Sequence, residues 1–423
     1  MLIIHENASG SSSIISAPAD RWSNLVSRDQ KIFLAILIFG AFLRIYWNDV
    51  SQYSRADEQV YVNYSNHLMT NGWSSYRKLT EDYVNDPAAW VTPNPLRCGY
   101  LALTTTLCHL SGSCDHRTLA WLSTVAGIAC IAITFFLGLE VLGVKAALIA
   151  AALTCTSPLQ LAMGRRALQD ELFCTTVIAV LWLLMRIVRH PKPPISLYLA
   201  AIITMTFALS YKETFLLLLP AYLILFLFWR GDWSLRRADA ALFALPPLLF
   251  AAGFMLATRS LTLLFRVGKV FLVAAIDNPY VKGYQQGPPH RDLVDHFILA
   301  PLVVLAAAGA TALLFRLEAL DERGARGLAL FLGLVLLLFA VSPVKNIRYT
   351  IFADPVMRLL AAWLLIALTS KIHTRENQLA LIFVLAINAA AELWIFHRIF
   401  IVSKVYDPVT FELLRALKAI PSF

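Results

Sequence analysis

Apolar runs long enough to enter a bilayer recur along the whole chain, and no other feature limits its fold so strongly. Inside lipid a backbone finds no water, so each run must satisfy its own N–H and C=O groups, which a helix does. The runs cover residues 32–47, 119–142, 146–163, 172–185, 195–209, 215–228, 240–257, 297–315, 328–341, 351–369 and 379–396. Of the 423 residues, 58% are hydrophobic and only 15% charged, so charge is confined to the segments between runs. The net charge of +9 therefore bears on topology and anionic lipid, not on nucleic acid. The expected fold class is an all-α integral membrane protein with about eleven transmembrane helices.

Lys and Arg gather in short cytoplasmic loops, which sets the threading. Lys145, the Arg186/Arg189/Lys192 group, Arg230 with Arg236 and Arg237, Arg316 with Arg323 and Arg326, and Lys371 with Arg375 mark those loops. Residues 99–110 are apolar but too short to cross comfortably, and are expected as a juxtamembrane or re-entrant helix. With that segment left out of the count, every remaining turn and the C-terminus fall on the opposite, outer face. Residues 1–30 are polar and Ser-rich, carry no secretory signal, and read as a disordered cytoplasmic tail. Residues 31–397 form one polytopic domain with outer loops at about 48–117 and 258–296, followed by an extracytoplasmic tail, 398–423.

The outer turns carry the chemistry. Asp57 and Glu58 open a helix for which Ser54 is the N-cap, and Asp57, Tyr61 and Tyr64 share one face at i, i+4 and i+7. A carboxylate there can act as a general base, although a solvated amphipathic helix would use the same residues. Arg165 and Arg166 precede Asp170 and Glu171, an arrangement that serves either a helix cap or a site. Lys212 and Glu213 lie between two spans, as an internal ion pair or as a phosphate contact. Lys345, Arg348 and Tyr349 form a second cationic group before residue 351. Two cationic groups facing acids on one face suggest a phosphate-bearing ligand beside carboxylates.

His290 and His296 flank Asp292 and Asp295 at a spacing open to a divalent metal, or simply to a polar loop. No cofactor is called for by a motif; for a metal, His290 and Asp57 are the candidate ligands. Asp354 and Glu392 are membrane-edge acids without an assigned role. Cys130, Cys155 and Cys174 read as small core residues; Cys98, Cys108 and Cys114 are nearer the outer face, with no disulfide expected. There is no Walker A, no dinucleotide-binding glycine motif and no nucleophile elbow, so nucleotide-driven chemistry has no visible site and a second substrate would arrive as a lipid.

Taken in order, these motifs resemble the C-type (GT-C) glycosyltransferases, in the branch of protein O-mannosyltransferases and bacterial aminoarabinose transferases. The resemblance rests on Asp57-Glu58 followed by Tyr61, on Pro93, Pro95, Gly99 and Tyr100, and on Arg165 or Arg166 with Leu168 and Asp170. It continues through Lys212 to Arg348-Tyr349, and so covers about residues 40–370. It implies a GT-C-like fold with juxtamembrane helices in the first outer loop. It also implies transfer of a sugar, with inversion, from a polyprenyl-phosphate donor to a glycolipid, glycan or protein acceptor outside the bacterial inner membrane. Asp57, Glu58 and Asp170 would be catalytic, with Asp57 the base. Tyr61, Arg97, Arg165, Arg166, Glu171, Lys212, Lys345, Arg348 and Tyr349 would bind substrate. The family's charged residue before its proline pair is missing at Thr92-Pro93-Asn94-Pro95, where Arg97 could substitute, and its Lys-Gly turn reads Lys212-Glu213. The rival class is a flippase for a lipid-linked saccharide, which would place charge near the bilayer midplane on broken helices.

Overall fold

The computed structural model describes residues 27–46, 56–316, 322–342, 344–369 and 375–421. These residues are helical, with one isolated antiparallel bridge between Gln286 and Val344. Helix α1 (Ser27–Tyr46) leads to the first outer loop, which holds α2 (Ala56–Asn71), α3 (Tyr76–Asn85) and α4 (Cys98–Ser111). The bundle continues with α5 (His116–Val141), α6 (Val144–Thr156), the short α7 (Pro158–Met163), α8 (Asp170–Arg189), α9 (Ile195–Tyr211), α10 (Phe215–Arg230) and α11 (Arg237–Thr258). The second outer loop contains α12 (Leu261–Asp277) and α13 (Arg291–Leu299); α14 (Pro301–Arg316), α15 (Arg323–Ala340), α16 (Ala353–Thr369), α17 (Arg375–Phe396) and the terminal α18 (Thr410–Ala416) follow.

Among the described residues the apolar runs are helical, with 146–163 and 297–315 each divided between two helices. Among the described residues five stretches are long and apolar enough to cross a membrane: His116–Val141, Asp170–Arg189, Arg237–Thr258, Arg323–Ala340 and Leu379–Val402. Four shorter apolar helices, Val144–Thr156, Ile195–Tyr211, Phe215–Arg230 and Pro301–Arg316, stand beside them. The run 146–163 is broken at Ser157-Pro158: proline cannot continue the backbone ladder of α6, and the Ser157 hydroxyl caps the Gln160 N–H instead.

The helices run up and down, so their turns sort to two ends. At one end the Arg189 guanidinium meets Glu140 at 3.5 Å, and Arg230 pairs with Asp239. At the other lie the turns around Asp170, Lys212 and Arg348. Helix α4 does not cross between them. Arg97, at its N-cap, bonds Tyr61 of α2, while Cys114, beyond its C-terminal end, lies against the Val62 carbonyl, so both ends return to one turn of α2.

Five expectations change. The proposed tail 1–30 overlaps α1, which starts at Ser27, and residues 1–26 lie outside the described residues, as does Ser54. The loop 258–296 is largely helical: Leu263, Val267 and Val270 recur at helical spacing and bury against the first outer loop. Asp292, Asp295 and His296 are buried on α13, not displayed on a polar loop. Cys108 and Cys114 are joined in a disulfide across the turn after α4. The final segment folds back: α17 passes through a π turn (His397–Val402), and residues 403–409 lead to α18, packed on α13.

Candidate active site

The outer ends of α8, α9, α2 and the turn before α16 meet around one guanidinium. Asp170 occupies the first position of α8, where the helix dipole favours an anion, and its side chain is fully buried. The Lys212 ammonium, at the C-terminal end of α9, stands 2.6 Å from Asp170 and donates to the Arg348 carbonyl at 3.1 Å. It also lies over the Tyr349 ring, 4.6 Å from the centroid. Arg348 sits in the 3₁₀ turn Ile347–Tyr349, which Asn346 caps through the Arg348 N–H at 3.0 Å. Its Nε is 3.1 Å from Asp170, Nη2 3.3 Å from Asp57, and Nη1 3.1 Å from Asp407.

Three carboxylates on one guanidinium differ in exposure, and that sorts their roles. Asp170 is sealed, Asp407 is 10% exposed, and the Asp57 side chain is 32% exposed, the one of the three that solvent or a substrate reaches most freely. Burial alone would raise the Asp407 carboxyl, but Arg348 and the Tyr280 hydroxyl outweigh it and hold it below the ordinary carboxylate range. Beside this group Arg97 and Glu213 pair at 3.1 Å, with Asn94 donating to Glu213 at 3.2 Å and Tyr61 bonded to Arg97. Gly99 makes that approach possible, because a Cβ there would stand 1.9 Å from the Ser210 hydroxyl of α9.

Residues 99–254 match the family model of the dolichyl-phosphate-mannose-protein mannosyltransferases. The crystal structure of ArnT from Cupriavidus metallidurans bound to undecaprenyl phosphate superposes with a TM-score of 0.55 at 16% identity, over 89% of this chain and 65% of that one. The Archaeoglobus fulgidus oligosaccharyltransferase tethered to an acceptor peptide gives 0.54 at 12% identity, over 87% and 54%. AglB from the same organism, in complex with an inhibitory peptide and a dolichol-phosphate, gives 0.53 at 14%, over 88% and 55%. The fold is that of the C-type glycosyltransferases. The chain spans about two thirds of ArnT and about half of the oligosaccharyltransferases. No curated protein matches the sequence.

Within this C-type fold the expected residues divide. Asp57, Asp170, Lys212, Arg348 and Tyr349 come together, with Tyr61, Arg97 and Glu213 alongside. Glu58 is buried on the far side of α2's first turn from solvent. Glu171 turns into the core beside Arg44, where Gly127 leaves room: a Cβ there would be 2.8 Å from Arg44 Nε and 3.0 Å from Glu171 Oε1. Arg165 donates to the Leu43 carbonyl at 2.6 Å and stacks on Phe396. Arg166 donates to the Val405 and Tyr406 carbonyls and stacks on the Tyr406 ring. Lys345 caps the last carbonyls of α15, Phe339 and Ala340, and does not face the site. His290 is exposed on the second outer loop, and among the described residues no three His, Cys, Asp or Glu groups are gathered to hold a metal ion.

Two residues of consequence were missed. Asp407 lies in a stretch that reads as a tail, and only Asp407-Pro408 after a polar turn hinted at order. Arg358 is fully buried on α16 and explains the two unassigned acids: it meets Asp354 at 3.0 Å, Glu392 at 2.9 Å and the Leu153 carbonyl at 2.6 Å. The i, i+4 spacing of Asp354 and Arg358 inside an apolar run was the available signal.

Proposed function

We propose that the chain is a polyprenyl-phosphate-dependent glycosyltransferase of the bacterial inner membrane, acting on the periplasmic face. The observation that carries this is the solvent-facing Asp57 held against Arg348, which with Lys212 and the sealed Asp170 forms a fixed cation pair at the outer end of an apolar bundle. A donor whose anchor is a long isoprenoid would lie along the bundle and bring its phosphate to that end. The acceptor hydroxyl gives its proton to Asp57 as its oxygen bonds to the anomeric carbon from the face opposite the carrier. The carbon–oxygen bond to phosphate breaks in the same step, and the carrier leaves as a phosphate monoester with the anomeric configuration inverted. Arg348 and Lys212 are placed where that negative charge grows, so they stabilise the transition state more than the ground state. Asp170 orients both cations.

The face is argued from two further features. Basic residues collect at the opposite end of the bundle, as in cytoplasmic loops. The Cys108–Cys114 disulfide on the site's own side belongs to an oxidising compartment. The undecaprenyl phosphate and dolichol-phosphate bound to the similar structures suit the same donor class. A flippase is disfavoured by the position of these charges at one end of the helices and not at mid-depth. A divalent cation would draw on Asp57, since His290 stands apart, and assay with and without EDTA tests it.

Membranes carrying wild type or Asp57→Asn, supplied with radiolabelled polyprenyl-phosphate sugars, should differ by about 10²–10⁴-fold in label passed to acceptor. The label that transfers names the sugar, hexose or pentose, and the labelled product names the acceptor. Equal transfer by the variant would end the proposal; lipid crossing the bilayer without transfer would favour the flippase.

A further inference from the structure

The segment after α17 has no part in the reaction above, yet it covers Arg348, a cation that reaction needs. Residues 403–409 form neither helix nor strand and run along the outer end of the bundle. The Val405 carbonyl accepts from Arg166 at 3.0 Å, and the Tyr406 carbonyl accepts from the same guanidinium. One oxygen of Asp407 accepts from Arg348 Nη1 at 3.1 Å and from Asn346 Nδ2 at 3.3 Å. The other accepts from the Tyr280 hydroxyl of the second outer loop. Four donor groups thus point at oxygens of three consecutive residues, the geometry in which a phosphate ester is held by a guanidinium and neutral donors.

The charges in direct contact favour an exchange of anions. Asp57, Asp170 and Asp407 are met by Arg348, Lys212 and, beside Asp407, Arg166, three carboxylates balanced by three cations. A phosphate added to that set finds no uncompensated cation, whereas with Asp407 withdrawn one positive charge is left over and one edge of Arg348 is vacated. Asp170 cannot be the group that leaves, being sealed and held by Lys212. Asp57 is anchored on α2. Asp407 lies on an irregular segment that can lift without breaking a helix.

We propose that residues 405–407 are an internal stand-in for the carrier phosphate. Their oxygens fill the donor's anion site in the resting protein, and the polyprenyl phosphate displaces segment 403–409, its oxygens then accepting from Arg348, Asn346, Tyr280 and Arg166. This rests on the donor reading given above. It adds Asn346 and Tyr280 to the donor site and makes Asp407 a competitor of the ligand, not a participant in catalysis.

The test uses the full chain in nanodiscs and undecaprenyl phosphate as probe. Asp407→Asn should bind the lipid about ten-fold more tightly than wild type, the effect of removing one charged competitor. In wild type, amide hydrogen exchange across 403–416 should speed up when the lipid is added, a readout that needs no variant to fold. Inorganic phosphate at equal concentration should do neither. Lipid binding with equal or lower affinity in Asp407→Asn, or with 403–416 unchanged or more protected, overturns the stand-in. Release of the segment by inorganic phosphate alone overturns its assignment to a lipid. If neither protein binds undecaprenyl phosphate, the donor reading itself fails together with what rests on it.

Discussion

Arg348 bears three carboxylates, and such crowding is tolerable only because each carboxylate has a different second partner. Asp170 has Lys212, Asp407 has Asn346 and Tyr280, and Asp57 has solvent. The Asp170–Lys212 pair is fully enclosed, with side-chain exposures of 0% and 1%. Two charges out of water are stable together and costly apart. Asp170→Asn should therefore lose roughly 3–5 kcal/mol of stability by stranding Lys212. The double variant Asp170→Asn/Lys212→Met should recover part of it, and thermal unfolding of both in detergent checks the sign of the coupling. A double variant less stable than Asp170→Asn would show that Lys212 is held by its other contacts, the Arg348 carbonyl and the Tyr349 ring.

At the level of elements, the site depends on pieces that do not cross the bundle. α2 and α4 supply Asp57, Tyr61 and Arg97; the turn before α16 supplies Arg348; α13 and α18 form the joint that carries the returning C-terminal segment. In that joint the Thr410 hydroxyl donates to Asp295, which Arg291 and Asp292 also face. Burial pushes the Asp295 carboxyl up to about 7, with Thr410 and Arg291 opposing and Asp292 adding to the rise. An acid raised above its unfolded value, about 4, binds its proton more tightly when folded, so its stabilisation is complete below about pH 4, declines as pH rises from there to 7, and is absent above it. Thermal unfolding from pH 4 to 9 should show wild type losing stability relative to Asp295→Asn as pH rises from about 4 to 7, with the difference level above 7. Parallel curves would mean that burial does not raise the Asp295 carboxyl or that the joint does not limit unfolding.

For the molecule as a whole, the alternation of turns sets which end faces out. Tyr284 lies on the second outer loop and Trp233 in the turn between α10 and α11, both exposed. A membrane-impermeant maleimide applied to intact cells should label Tyr284→Cys and spare Trp233→Cys, which should react only after permeabilisation; the reverse pattern would invert the topology. The alternation of turns between two ends was legible in the chain itself, because lipid allows a backbone few solutions and basic residues gather in alternate turns. The helical class, the ends of the apolar runs and the motif residues Asp57, Asp170, Lys212 and Arg348 are all local signals: each is visible from its neighbours in sequence. What the sequence left open is long-range. Arg165 and Arg166 are adjacent and alike, yet one is spent on α1 and the other on the C-terminal segment, a division fixed by which carbonyls the folded chain presents to each. Lys345 reads as a site cation and becomes a helix cap because the end of α15 lies within its reach. Asp407 reads as tail, and joins Arg348 only because α17 returns it, 59 residues on in sequence, to the same guanidinium. Periodicity and local charge determined the helices and their direction; packing decided which charges meet, since a buried charge must find its partner wherever the fold brings one.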